Sequence, residues 1–220
     1  MVEVPGGTLA EGIHEVSPRQ LSMSTSLASC VDALGAMSQE AQGLRRPVTT
    51  AANVRMSQHT LLVACERSSS GRVLSGLLKA GRKKLFLRDG NSSLHECTTL
   101  CLLDFFVAPP SQRHGLGKAL LDRLLLSEKL EPCDLALDRP SERLLAFFRK
   151  HYCLFYPSHQ ENHFVVFPSF WSPESCRRRA NYNAACSPSP SLPPDPPPPR
   201  GRASTSSTAC NAAFSVNLKP

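Results

Sequence analysis

From Leu27 to Leu44 the apolar residues Leu27, Val31, Leu34 and Met37 recur at three- and four-residue steps, the period of a helix with one buried face. Thr60–Cys65 (TLLVAC), Val73–Lys79 (VLSGLLK) and Lys84–Arg88 (KLFLR) are short strand-like runs. Gly81, between the last two, reads as a turn and so predicts a hairpin. The longest apolar run, Thr99–Val107 (TLCLLDFFV), is broken only by Asp104 and stops at Pro109-Pro110. Gly115–Ser127 follows as an amphipathic helix, with Leu116, Leu120 and Leu124 on one stripe and Leu121 and Leu125 beside it. Asp134–Leu137 is a short strand. Pro140-Ser141-Glu142 opens another helix, which turns Leu144, Leu145, Phe147 and Phe148 inward and ends near His151. Phe164–Phe167 (FVVF) closes the pattern as a strand. This order of elements predicts an α/β fold of the α+β kind, a mixed sheet covered by helices.

The pattern fades at both ends. Residues 1–20 carry little periodicity and are expected to be loose. Ten of the 19 prolines fall in 171–220, many of them in PSPSLPPDPPPPRGR. A segment of that composition cannot bury enough surface to offset its ordering entropy. Residues 172–220 are therefore expected to be a disordered tail, with polyproline character over 188–199. One domain, residues 21–171, is left between the ends, a reasonable share of a 220-residue chain.

Charge and cysteine usage narrow the partners. The net charge is +7, but residues 171–220 hold six basic and two acidic side chains, which leaves +3 on the first 170. That is too little for the dense basic face of a nucleic-acid binder. No apolar run approaches the roughly 18 residues of a membrane span. The first residues lack the charged start and apolar core of a signal peptide, so an intracellular protein is expected. Cys30, Cys65, Cys97, Cys101, Cys133, Cys153, Cys176, Cys186 and Cys210 are odd in number and scattered, which suits free thiols in a reducing compartment. His95, Cys97 and Cys101 lack a second ligand pair at finger spacing, so no metal site is expected.

The chemistry lies directly after the long strand, in Gln112-Arg113-His114-Gly115-Leu116-Gly117, which reads Q-x-x-G-x-G and leads into the leucine-striped helix. Glycines let successive backbone N–H groups turn toward a diphosphate, and the helix N-terminus adds positive partial charge. Arg113 and Lys118 can add full charges. A Rossmann loop would need G-x-G-x-x-G and a P-loop G-K-[ST]; neither is present.

Q-x-x-G-x-G after the central strand resembles the acyl-CoA motif of the GCN5-related N-acetyltransferases. LCLLDFFV, SQRHGLGKALLD, LALDRPSERLLAFFRKHY, GLLKAGRKKLFL and VDALGAMSQEAQGLRRPVTTA resemble the α-tubulin N-acetyltransferases in unbroken order from about Leu27 to Trp171. The resemblance implies their fold and an acetyl-CoA-dependent transfer to a lysine on the luminal loop of α-tubulin. It implies a monomer that works on microtubules in the cytoplasm, axonemes or cilia. It places the acetyl-CoA contacts on two stretches. The first is the strand end Phe105-Phe106-Val107 with Ala108, the turn Pro109-Pro110-Ser111, and the loop Gln112-Arg113-His114-Gly115-Leu116-Gly117-Lys118. The second is Ser141-Glu142-Arg143-Leu144-Leu145-Ala146-Phe147-Phe148-Arg149-Lys150. Asp138, Cys101 and Gln42 match residues on which family activity depends, and Lys83 and Lys84 match a basic pair near the substrate groove. Asp104 is a further candidate on the substrate side. The family's first strand has no readable counterpart in residues 1–20.

Elementary chemistry leaves several roles open. Deprotonating a lysine with an ordinary pKa near 10.4 at neutral pH costs about 4.6 kcal/mol, so a base or a desolvated pocket must help. Asp138 is a poor base unless burial raises it, and it could equally cap the following helix. Cys101 is better matched by its pKa but could be a core thiol. The two could also act as a pair, with Asp138 holding the lysine cation and water carrying the proton. Gln42 suits an orienting hydrogen bond rather than proton transfer. Asp104 needs a partner if it is buried. Lys83 and Lys84 could be a plain solvated hairpin tip. Direct transfer is expected over an acetyl-cysteine, because the donor is already an activated acyl group. Two rivals stand beside this reading: a catalytically weak microtubule-binding module, and an acetyltransferase for other protein lysines or small amines.

Overall fold

The computed structural model describes residues 1–4, 9–69 and 71–186. The strands Val2–Val4 (β1) and Gly12–Glu15 (β2) precede the helices Pro18–Met23 (α1), Thr25–Gln42 (α2) and Ala51–Arg55 (α3). Three strands then run in succession, Thr60–Ser68 (β3), Gly71–Arg88 (β4) and Leu94–Val107 (β5). The helix Leu116–Glu128 (α4), the strand Ala136–Asp138 (β6) and the helix Glu142–Tyr152 (α5) follow. The short strands Ser158–His159 (β7) and Phe164–Val166 (β8) and the helix Pro173–Cys186 (α6) complete the order. The sheet runs β2-β3-β4-β5-β6-β8-β7, with β1 on β4. Its pairs are antiparallel except β5–β6. This is the mixed sheet covered by helices that the periodicity predicts.

Alternate residues of β3 serve two cores, as a pleated strand must when both its faces are covered. Leu61, Val63 and Cys65 pack with Leu27, Val31 and Leu34 of α2, while Leu62 and Ala64 pack with Leu120, Leu121 and Leu124 of α4 and Phe148 of α5. A third cluster gathers Leu85, Leu87, Cys101, Ala136, Phe164 and Phe170.

Three expectations are corrected. Residues 1–20 are not loose over their described part. β2 pairs with β3, β1 pairs with β4, and Ser17 and Gln20 close a capping box that starts α1. Strands of three and four residues are too short for a readable period, and pairing is what orders them. Gly81 is not a turn. β4 runs unbroken through it, and the chain reverses instead at Asp89, whose Oδ1 accepts the N–H groups of Asn91 and Ser93 at 2.9 Å each. Nor does the domain end at Trp171. Arg178 of α6 reaches the buried Asp134 at 2.7 Å, and the Arg179 guanidinium stacks 3.5 Å from the Phe170 ring centroid. Asn183 donates to Thr98 O at 2.8 Å. Charged and amide contacts hold this helix together with Tyr182, its one residue in the described apolar core clusters, which is too little for an apolar period to announce it. The disorder expected for 187–220 and the polyproline run at 188–199 lie outside the described residues.

Candidate active site

β5 and β6 run parallel for only two residue pairs, Cys101 with Ala136 and Leu102 with Leu137. β5 continues to Val107 while β6 stops at Asp138. Beyond Leu102 the two strands part, and no strand among the described residues pairs with that edge of residues 103–107. The result is an open edge of main chain, a wedge in the hydrogen-bonding pattern of the sheet, suited to an extended ligand that hydrogen-bonds like a strand. The register of β5 on β4 slips at the same place. Lys79 pairs with Asp104 and Ala80 with Leu102, so Leu103 is an extra residue. One inserted residue reverses the in–out alternation, and Asp104 consequently faces α2.

Pro109 and Pro110 end β5 in a single tight turn, because neither can donate to a ladder. The Gln112 side chain folds back to donate to Val107 O at 2.7 Å. Arg113 and Gly115 then take positive φ values of 66° and 84°. Gly115 caps α4 in the left-handed conformation, and no side chain caps the helix. The first-turn amides of α4 are thus free of any side-chain cap, the arrangement in which a helix start receives an anion. The two glycines do different work. Gly115 supplies the left-handed turn, whereas a Cβ at Gly117 would come within 3.2 Å of Phe105 Cζ, so Gly117 lets α4 lie close against β5. Lys118 is committed elsewhere, with Nζ 2.5 Å from Asp122 Oδ2, which leaves Arg113 as the exposed cation of the loop.

The ring of Phe105 lies 5.4 Å from that of Phe147, joining β5 to α5 beside the wedge. Phe105, Val107, Leu116, Gly117, Leu144 and Phe147 therefore lie together, with Gln112 bonded to Val107 O beside them. The rest of the two stretches divides. The side chains of Phe106 and Ala108 go to the core under α2, and Leu145 and Phe148 are core on the other face, so only their backbone could serve a ligand. Ser141 accepts from Leu144 N at 3.3 Å and caps α5. Glu142, Arg143, Ala146, Arg149 and Lys150 point to solvent. The wedge, the uncapped helix start and the positive-φ loop fit acetyl-CoA: the amides of residues 115–118 and Arg113 would hold its diphosphate, and the β5 edge its pantetheine arm.

At the far end, Asp138 closes β6 opposite Phe164. Because Ser141 caps α5, Asp138 does not. Its carboxylate has no hydrogen-bond or ion-pair partner among the described residues. Cys101 is fully buried between Gly81 and Ala136. Burial pushes its thiol up to about 12; the charge of Asp138 adds to this and Lys83 opposes it. A thiol so placed is held toward its protonated form, and its side chain packs in the third core cluster. Lys83 and Lys84 lie within β4 rather than at a hairpin tip, and they face opposite ways. Lys83 is half-buried with Nζ 5.7 Å from the Phe164 ring centroid, while Lys84 is exposed and paired with Glu96 at 2.8 Å.

Asp104 is not available to a substrate. It is 5% exposed, and its carboxylate accepts from Ser38 at 2.8 Å, Gln42 at 2.9 Å and Thr49 at 2.6 Å. Gln42 accordingly faces Asp104. The sequence reading missed His59, whose ring lies where a Gly81 side chain would be and whose buried Nδ1 has no hydrogen-bond partner among the described residues. Burial, then Lys79 and Lys83, hold its pKa below the ordinary value. A glycine inside an apolar strand signals such a close approach. Among the described residues no three His, Cys, Asp or Glu side chains gather as a metal site, and no helix is long and apolar enough to cross a membrane.

Comparison with known proteins adds the family. The α-tubulin N-acetyltransferase of Aedes aegypti is 37% identical over 169 residues, covering 77% of this chain and 61% of its own. α-Tubulin N-acetyltransferase 1 of Danio rerio is 40% identical over 151 residues, covering 68% of this chain and 51% of its own. The chain thus spans about half to six-tenths of the length of these relatives. Among solved structures, an aminoglycoside acetyltransferase from an uncultured soil metagenomic sample aligns with a TM-score of 0.42 at 19% identity, over 70% of this chain and 97% of that one. An acetyltransferase of Trypanosoma brucei aligns with a TM-score of 0.41 at 21% identity, over 68% and 94%. The model of the family described as GNAT acetyltransferase, Mec-17, matches residues 8–191, and the chain belongs to that family.

Proposed function

We propose that this chain transfers the acetyl group of acetyl-CoA to a lysine of α-tubulin, on the luminal loop of the polymer, by direct attack within a ternary complex. The observation that carries the reading is the parting of β5 from β6 after Leu102, with the uncapped start of α4 at one end of the wedge and Asp138 at the other. The names of the relatives in Aedes aegypti and Danio rerio support the substrate.

When bound, acetyl-CoA supplies an activated acyl group, and the remaining tasks fall to the chain. The amides of residues 115–118 and Arg113 hold the diphosphate. The main chain of residues 103–107 orients the arm so that its thioester lies beside the β5 bulge. Asp138, whose carboxylate has no partner among the described residues, receives the lysine ammonium and aligns it. Lys83, whose charge is felt at Cys101, favours loss of the ammonium proton by like-charge repulsion. The first proton leaves by water or through Asp138, the amine forms the new C–N bond as the C–S bond breaks, and the departing thiolate takes the second proton that the acylated nitrogen sheds. Cys101 takes no part as a nucleophile, since burial keeps it a thiol. Residence with the microtubule cytoskeleton follows from this substrate, and the chain acts there as a monomer in this reading.

The test is acetyl-CoA turnover on polymerised tubulin, free tubulin and a generic lysine peptide, by wild type and Asp138→Asn. The expected order of rates is polymer, free tubulin, peptide, with Asp138→Asn down about 100-fold or more, within the range of general acid–base effects. Binding to microtubules without acetyl transfer would instead mark a binding module, and equal rates on all acceptors a general lysine acetyltransferase.

A further inference from the structure

Ser38, Gln42, Thr49 and Asp104 form a closed set of hydrogen bonds drawn from three distant stretches of chain. Ser38 and Gln42 stand one turn apart at the end of α2, and the Gln42 amide donates both to Ser38 Oγ at 2.7 Å and to Asp104 Oδ1 at 2.9 Å. Ser38 donates to the same Oδ1 at 2.8 Å, and Thr49 donates to Oδ2 at 2.6 Å. Ser38 and Thr49 are buried as deeply as Asp104. Lys79, cross-strand from Asp104, is buried as well and donates to Val48 O at 2.9 Å. The segment that carries Thr49 is pressed hard against α2, because a Cβ at Gly35 would lie 2.0 Å from Thr49 O.

This cluster sits at the irregular point of β5. Asp104 follows the inserted Leu103, and the pairing with β6 ends at Leu102. A bulge leaves one residue outside the ladder, so its peptide groups are held by little unless a neighbour anchors them. Asp104 is the residue whose side chain ties that point to α2 and to the 48–50 segment.

We propose that Asp104 is a positioning residue for the transfer: by gathering Ser38, Gln42 and Thr49 it pins the bulge at Leu103 and so fixes the main chain beside which the thioester lies. Gln42 then acts through Asp104 and does not touch the lysine. The proposal rests on the acetyltransferase reading given above. Displacement of reacting groups by about 1 Å can cost on the order of 100-fold in rate, so a loose bulge is felt in turnover even where the diphosphate site is intact.

Thr49→Val separates the two roles, since Thr49 is buried and, among the described residues, its hydroxyl bonds only Asp104. The experiment compares Thr49→Val, Thr49→Ser, Gln42→Ala and the Thr49→Val/Gln42→Ala double variant, each in the full chain. It reads kcat and KM on microtubules, acetyl-CoA affinity by calorimetry, and amide exchange across residues 102–106. The expected result is a fall in kcat of about tenfold for Thr49→Val and for Gln42→Ala. Acetyl-CoA affinity should stay within about twofold and Thr49→Ser should recover. The double variant should be no worse than the poorer single, because both act through one carboxylate. Amides 102–106 should exchange faster in Thr49→Val. Wild-type kcat in Thr49→Val alongside a loss in Gln42→Ala would overturn the proposal, as would multiplied losses in the double variant. Should the wild type fail to acetylate tubulin, the acetyltransferase reading fails, while the exchange of 102–106 still decides for or against Asp104 as the anchor of the bulge. If Thr49→Val does not fold, Ser38→Ala removes a different donor from the same carboxylate and gives the same readouts.

Discussion

The imidazole of His59 occupies the space that a side chain at Gly81 would need: a Cβ there would lie 2.2 Å from Cδ2 and 2.8 Å from Nε2. The whole ring, not the tip of a flexible chain, is in the way. Gly81→Ala is therefore expected to destabilise the protein by about 1–3 kcal/mol, the usual range for overpacking, measured by urea unfolding. Adding His59→Ala should return most of that loss. Unchanged stability in Gly81→Ala alone would show that the ring moves aside at no cost.

His59 also gives a pH dependence. Burial, followed by the charges of Lys79 and Lys83, lowers its pKa in the fold below the ordinary value of 6.5. Protonation then favours the unfolded chain, so this contribution to stability is complete above about pH 6.5 and is lost as pH falls through the folded-state pKa. The urea midpoint of the wild type should fall between pH 7 and 5, and His59→Gln should lose less over the same interval. Equal slopes for the two proteins would remove His59 as the cause.

Long periodic elements were legible from sequence because burial imposes a repeat on them: α2, α4 and α5 each lie within a few residues of their expected bounds, and β5 contains the whole of its expected run. The loop at 112–117 was legible for a different reason, since a positive-φ turn at Gly115 and a close helix–strand approach at Gly117 are features that a short glycine motif can encode. What escaped was held by partners far along the chain. β1 and β2 are ordered by pairing, and α6 by Arg178 on Asp134, 44 residues away. Asp104 meets Ser38, Gln42 and Thr49 across 66, 62 and 55 residues, so only its lone charge in an apolar run hinted that a partner exists.

Among the contacts that join α6 to the domain, one is made to a buried carboxylate. Asp134 has no exposed side-chain surface and accepts from Arg178 Nε, from Glu131 N at 2.8 Å and from Ser175. Removing the guanidinium leaves that charge under-compensated. Arg178→Ala should cost on the order of 3 kcal/mol, seen as a drop in Tm, and Arg178→Lys should restore only part because an ammonium cannot reach both oxygens in a fork. Loss of residues 172–220 should be at least as damaging. A chain ending at Trp171 with unchanged Tm would contradict the role given to α6.

Cys101 offers a chemical check on direct transfer. With its pKa pushed up to about 12, the thiolate fraction at neutral pH is roughly one in 100,000. Mixing the protein with acetyl-CoA in the absence of tubulin should give no acetylated Cys101 by mass spectrometry on the timescale of turnover. A stoichiometric burst at that residue would replace direct transfer with a covalent intermediate.

The account turns on the main chain between Gln112 and Lys118 receiving the diphosphate of acetyl-CoA at the start of α4. Amide hydrogen exchange with and without acetyl-CoA reads those groups themselves. Binding should slow exchange at residues 113–118 and along the β5 edge at 103–107, and leave α1 and α3 unchanged. Saturating acetyl-CoA with no protection at 113–118, or protection confined to another part of the fold, would contradict it.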